Sequence, residues 1–239
     1  MKADMANDFG IDESNWRLTD EDRPLSLAEQ IAERISIEIL RGRYQPGERI
    51  IEQGIADSFK VSRGPVRDAI RILEREGVVE ILPRRGAQIT QLNMKEVDDI
   101  FAIRGALIEL GVFLATPNLS DAEKQRISSW VDALSNHDTL HGPNEHYVAI
   151  SYHISLFISR RCGNDRLFEM IRSMSRQTLR YSHLALRDTV RRDKSRKLWK
   201  NLSDFLTVGD AANASKIARE LVDASGQSAR MYLASSNQT

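Results

Sequence analysis

Apolar residues in the first part of the chain keep a helical step and then change to the spacing of a strand. Ala28, Ile31, Ile35, Ile39 and Leu40 form one stripe, entered through Ser26 and Glu29 at the spacing of a capping box. The run Gly42-Arg43-Tyr44-Gln45-Pro46-Gly47 breaks it. Ile50, Ile51, Ile55, Ala56 and Phe59 predict a second, short helix, and Lys60-Val61 leaves room only for a tight turn. A third helix follows, with Ser62 at its N-cap position and Gly77 as its stop. Val66, Ile70 and Leu73 make its apolar side, while Arg63, Arg67, Arg71 and Arg75 recur at steps of four and so share one row. Val78, Val79 and Ile81 predict a strand, Pro83-Arg84-Arg85-Gly86 a basic turn, and the stretch to Gln88 a second strand.

The arginine row alone fits a solvated amphipathic helix as well as it fits a nucleic-acid reader. The two helices before it and the basic hairpin after it favour the reader. Helix, short helix, tight turn, arginine-faced helix and hairpin make a winged helix-turn-helix.

Beyond residue 92 the pattern is helical throughout. Asn93 with Glu96 caps a helix carrying Val97, Ile100, Phe101, Ile103, Ala106, Leu107, Leu110 and Leu114, which stops near Thr116-Pro117-Asn118. Ser120 with Glu123 opens another, bearing Ile127, Trp130, Val131 and Leu134. A loop rich in His, Gly and Pro occupies residues 136–144, and helices are predicted at about 145–160, 165–187, 191–208 and 211–234. The expected fold is mainly α, with an N-terminal winged helix-turn-helix (three helices and a hairpin wing) and a C-terminal all-α bundle of about six helices. The expected domains are a mobile acidic arm at 1–24, a DNA-binding domain at 25–91 and a helical effector-binding and dimerisation domain at 92–236.

Composition refines this picture in three ways. A formal net charge of zero over 239 residues does not argue against DNA, because the charge is unevenly spread. Asp4, Asp8, Asp12, Glu13, Asp20, Glu21 and Asp22 face only Lys2, Arg17 and Arg23 in the arm, and DNA needs a local positive face rather than a basic whole. No apolar run approaches ~18 residues and no secretory segment is visible, so no membrane association is expected. The lone Cys162 fits a reducing cytoplasm. Neither a Gly-rich phosphate loop nor a nucleophile elbow occurs. Cys162 lies near Arg160 and Arg161 but reads as an inert thiol, so no enzyme is expected.

Several stretches resemble the GntR family of bacterial transcription regulators. They are Tyr44-Gln45-Pro46-Gly47-Glu48-Arg49-Ile50, Val61-Ser62-Arg63-Gly64-Pro65-Val66-Arg67-Asp68-Ala69-Ile70, Leu73-Glu74-Arg75-Glu76-Gly77-Val78-Val79 and Arg84-Arg85-Gly86-Ala87. Gly64 departs from the larger residue usual there. The later part is similar, more loosely, to the FCD domain of the FadR subfamily through residues 100–109, Gly163-Asn164-Asp165 and Gly209-Asp210-Ala211-Ala212. The resemblance implies a homodimeric repressor on a palindromic double-stranded operator, controlled by a small-molecule effector. It implies that Ser62, Arg63, Gly64, Pro65 and Arg67 enter the major groove or touch its phosphates, and that Arg85 and Gly86 carry the wing to the minor groove. Gln53 falls where the family often places an Arg, so that phosphate contact is weaker here. A constitutive DNA binder with a vestigial sensor is the alternative.

Many members of that subfamily hold a metal with one Asp and three His. Counting places those positions at Ala149, His153, Trp199 and Leu221, so only His153 is retained and no metal or other cofactor is expected. His146 and His153 share a helical face but stand about 10.5 Å apart along it, and His137 and His141 lie in the loop. The resemblance further implies that Arg104 matches a family arginine on the first bundle helix, facing the cavity, so the expected effector set is Arg104, His153, Trp199 and Leu221, taking an anionic ligand, a carboxylate first of all, of flatter and more apolar shape than a simple hydroxy acid. The row Arg172, Arg176, Arg180, His183 and Arg187 reads as a solvated helix face, with an anionic effector, the acidic arm or DNA as sharper alternatives.

Overall fold

A computed structural model describes residues 25–40, 43–136 and 144–236. The acidic arm at 1–24 and the loop residues His137 and His141 lie outside the described residues. Three helices open the fold: α1 (Leu27–Leu40), α2 (Glu52–Phe59) and α3 (Arg63–Arg75). The Ser26 and Glu29 capping box forms, with Ser26 N–H donating to Glu29 and Glu29 N–H to Ser26 Oγ. Lys60 turns the chain between α2 and α3 by adopting the left-handed region (φ 54°), and Val61 N–H closes the turn on Ala56 O at 3.0 Å. Helix α3 ends in a Schellman motif. Gly77, at φ 70°, donates to Glu74 O, and Val78 donates to Leu73 O. The antiparallel hairpin of β1 (Val79–Leu82) and β2 (Gly86–Ile89) forms the wing.

The wing has a further edge that the apolar pattern did not predict. Gly47 and Ile50 donate to Ile89 O and Ala87 O, Ile89 N–H donates to Glu48 O, and Arg49 bridges to Gln88. Ile31, Ile35, Val66, Leu73 and Ile89 pack beneath as one core.

The second core belongs to a bundle of α4 (Met94–Ala115), α5 (Asp121–Leu134), α6 (Asn144–Arg160), α7 (Asp165–Ala185), α8 (Thr189–Val208) and α9 (Ala211–Ser236). The capping boxes at Asn93 and Ser120 both form. Helix α4 is central and packs most extensively along α9. Gly226 on α9 allows that approach, since a Cβ there would stand 3.0 Å from Phe101. An 18-residue window within Met94–Asn118 reaches a mean hydropathy of 1.6, apolar enough to cross a membrane by composition although Arg104 and Glu109 interrupt it. The fold uses the segment as the bundle's central helix, with Val97, Phe101, Ile108 and Val112 buried.

The two cores meet across α7. Ile37 of α1 packs into the bundle core rather than that of its own domain. Arg176 pairs with Glu76 at 2.9 Å, with 4% and 11% of the two side chains exposed. Arg180 donates to Thr90 O, Tyr181 Oη accepts from Leu92 N–H, and Gln177 covers Gly77. The expectation of a solvated arginine face is therefore corrected. Arg176 and Arg180 clamp the winged helix-turn-helix, and His183 is buried. Helical spacing shows that these residues share a face but not what lies against it.

Candidate DNA-reading face and effector cavity

The solvent face of α3 presents Ser62, Arg63, Gly64, Arg67 and Arg71, all exposed, with Pro65 partly buried beside them. Ser62 occupies the N-cap with extended backbone, yet its side chain makes no capping bond. Its hydroxyl is accordingly directed to no backbone donor of its own helix. The arginines are ordered by α2. Gln53 Oε1 accepts from Arg63 Nε at 2.6 Å, and Gln53 Nε2 donates to Asp57 at 2.7 Å. Glu52 Oε2 accepts from Arg67 Nε at 2.9 Å. In this arrangement Gln53 aligns the Arg63 guanidinium, a role that the resemblance did not suggest.

The wing tip carries Arg84 and Arg85 in an exposed turn, with Arg84 at φ 62° and Gly86 at φ 82°. The Arg49 guanidinium lies over Gly86, 3.6 Å from where a Cβ would stand. Arg49 and Glu52 were not singled out from sequence. The signal for Arg49 was its place in the matching run at residues 44–50. Glu52 gave no sequence signal.

Inside the bundle, helices α4, α6, α7, α8 and α9 enclose a cavity of about 70 Å³. Measured as space for the centre of a water-sized sphere, where one water needs ~10–15 Å³, this holds about five to seven waters. Such a volume suits a small organic acid and is too small for a long acyl chain. Arg104, Trp199 and Leu221 all reach its wall. His153 does not. It is half-buried, with its ring edge-on to Trp130 at 4.6 Å and stacked near Phe157, so the expectation that it faces the cavity is corrected. A position on α6 only one residue from Tyr152, which does line the cavity, points to another side of the helix.

The wall is more polar than Trp199 and Leu221 suggested. Ser151, Ser155, Ser175, Ser182, Ser195 and Ser225 all reach it. Serines on otherwise apolar inner faces were the signal for this lining, and periodicity counts them only as gaps. Arg104 Nε donates to Ser175 Oγ at 3.2 Å. Among the described residues no carboxylate pairs with Arg104. Burial pushes its guanidinium down to about 10, opposed by the nearby Tyr152. Burial likewise raises the Tyr152 phenol, against the opposing charge of Arg176. Tyr152 thus lies between the cavity and the Arg176–Glu76 pair. Burial lowers Arg176, but Tyr152, Glu76 and Glu33 together hold it above the ordinary arginine value.

The counted metal positions place one donor, His153, beside Ala149, Trp199 and Leu221, which cannot ligate. Among the described residues no three His, Cys, Asp or Glu side chains converge on a metal site. The residues present do not fit the metal.

Two family models match the chain. Residues 27–89 match the bacterial regulatory proteins of the gntR family, and residues 99–224, more than half of the chain, match the FCD domain. The chain belongs to the GntR family, in the branch that carries an FCD domain. The families and relatives that it matches are those of transcriptional regulators. The uncharacterized HTH-type regulator YdhC of Bacillus subtilis is 39% identical over 102 residues, covering 43% of this chain and 46% of that relative, so the chain spans about half its length. The transcriptional repressor GlaR of Escherichia coli is 23% identical over 77% of this chain and 86% of its own length. Among solved structures, McbR of E. coli superimposes with a TM-score of 0.74 at 19% identity, over 84% of this chain and 95% of that one. A GntR regulator of Rhodococcus sp. RHA1 gives 0.66 at 18% identity, over 88% and 99%. These likenesses show the shared two-part fold.

Proposed function

We propose that the protein is a repressor that binds a palindromic operator as a homodimer in the cytoplasm and is controlled by a small anionic metabolite. The observation that carries this reading is Arg104. A buried cation without an ionic partner is costly, and a carboxylate arriving in its cavity removes that cost. The same helix that offers Ser175 to Arg104 offers Arg176 to the DNA-binding domain, so a ligand that moves α7 moves the recognition helix with it. No metal is needed in this reading, because the arginine supplies the positive charge. No membrane partner is needed either.

Arg63 and Arg67 read and grip the operator, leaving Gln53 and Glu52 when DNA arrives. Ser62, Gly64 and Pro65 bring the backbone close to phosphate, and Arg85 and Gly86 place the wing in the minor groove. Fluorescence anisotropy on the DNA upstream of the protein's own gene, with and without small carboxylic acids, tests the reading. An acid that changes operator affinity in the wild type, but not in Arg104→Ala, is the expected result. Operator binding that ignores every acid would leave a constitutive binder.

A further inference from the structure

Resting on that reading of the cavity, we infer that its ligand is a dianion, a short dicarboxylate with one acidic group on Arg104 and the other on Arg191. Arg191, like Arg104, has no carboxylate in ion-pair range among the described residues. Its relative exposure is 9%, and its Nη1 atom is buried without any hydrogen-bond partner. Nε donates to Ser228 Oγ at 3.2 Å, and Nη2 donates to Ser225 Oγ at 3.5 Å. Both hydroxyls spend their own protons on α9 carbonyls, Ser225 on Leu221 O and Ser228 on Ala224 O. They offer Arg191 lone pairs but no negative charge, which is the position Ser175 holds towards Arg104.

The electrostatics agree with the geometry. Burial lowers Arg191, with the Tyr147 phenol and the Asp188 carboxylate only partly opposing it. Asp188 is itself engaged as the α8 N-cap, accepting from Val190 N–H. Arg191 also stands in the first turn of α8, where the helix dipole disfavours a cation and favours an anion.

Arg191 sits directly behind the cavity wall. Ser225 belongs to that wall, and so does Ser195, one turn on from Arg191 along α8. The 3.5 Å contact from Nη2 to Ser225 is at the limit of a hydrogen bond and is readily given up to a carboxylate. The two arginines approach the cavity at neighbouring levels of the bundle. Ser225, which Arg191 contacts, adjoins Gly226, and Gly226 packs against Phe101, one turn before Arg104 on α4. A monoanion in this cavity would leave one of the two charges uncompensated, and its modest volume limits the spacer to a few carbons.

Thermal shift and calorimetric titration of the full-length protein decide this, using malonate, succinate, glutarate, adipate and pimelate against butyrate and hexanoate. One dicarboxylate should bind best, and Arg191→Met should weaken it at least about tenfold while leaving the monocarboxylates unchanged. Arg191→Lys should recover part of the loss. Circular dichroism reports whether Arg191→Met folds. If it does not, Ser225→Val, which blocks the approach of Arg191 to the cavity, should give the same selective loss. Equal binding of the best dicarboxylate by Arg191→Met, or by Ser225→Val where that variant is used, overturns the inference. So does an equal loss for both classes of acid. An acid response that needs Arg104 but not Arg191 overturns it while leaving the effector reading intact, whereas no response to any acid removes both.

Discussion

At the scale of single residues, the proposed DNA contacts give neighbouring arginines on one helix separable tasks. Arg63 and Arg67 lie one turn apart on α3, each held by a different side chain of α2. A bidentate contact from Arg63 to guanine contributes about 1–3 kcal/mol of discrimination. Arg63→Ala should therefore relax base preference by roughly ten- to a hundredfold in a competition assay on mutated operators. Arg67→Ala should weaken all sequences alike and lower the slope of log affinity against log salt by about one, as expected for a lost phosphate contact. Unchanged selectivity in the first variant would show that Arg63 is not the reader. Arg104 makes a pH prediction. A base whose value is pushed down by burial stays charged below about 10 and loses its charge as pH rises through that value. A bound anion pushes the value back up. Stabilisation by an acidic ligand should thus be flat between about pH 6 and 9 and fade only above 10, as read by thermal shift across buffers. The exposed arginine row of α3 was legible because it repeats at helical steps on a solvent side. Arg104 was singled out by resemblance, and its Ser175 partner and the serine-lined wall were not, because a small polar residue leaves no mark on a hydrophobic pattern.

At the scale of elements, α7 is the part whose role the sequence concealed. Its inner face supplies Ser175, Leu179 and Ser182 to the cavity, and its outer face supplies Arg176, Gln177 and Arg180 to the DNA-binding domain. The contacts lie about a hundred residues apart in the chain, beyond the reach of any local spacing rule. The boundaries of the helices, by contrast, were legible, since capping boxes and left-handed glycines are local chemistry. The Arg176–Glu76 pair includes the C-cap of α3, so under the proposed function it is the contact that would carry a shift of α7 to that helix. Removing one partner leaves a buried charge and should destabilise by about 3–5 kcal/mol in chemical denaturation. Glu76→Gln should also raise operator binding in the presence of ligand towards its ligand-free level, because the link from cavity to α3 is cut. The paired change Arg176→Met with Glu76→Leu should recover much of the stability without restoring the ligand response. Recovery of both would place the coupling elsewhere.

At the scale of the whole molecule, two cores share one chain, and the joint between them is polar and specific. The division was legible from the change of periodicity near residue 92. The docking was not, because Ile37 reads as one more apolar position of α1 although it packs into the other core. The remaining feature at this scale is the outer side of α4. Ile103, Leu110 and Phe113 stand about half exposed at steps of seven and three, so they line one face of the bundle's central helix. Large apolar side chains at that spacing form a stripe, and a stripe on the outside of a domain favours a second copy of itself related by a two-fold axis. The same symmetry is what a palindromic operator demands, since one recognition helix spans too few base pairs for useful selectivity. Leu110→Glu combined with Phe113→Glu should give a folded monomer, with helical content unchanged by circular dichroism and half the wild-type mass by sedimentation equilibrium. Operator affinity should fall by more than a hundredfold, whereas binding of a single half-site should persist at its weak intrinsic level, because α3 and the wing are untouched. A double variant that remains dimeric would move the interface off α4, and one that is monomeric yet binds the full operator undiminished would break the link between the dimer and DNA recognition.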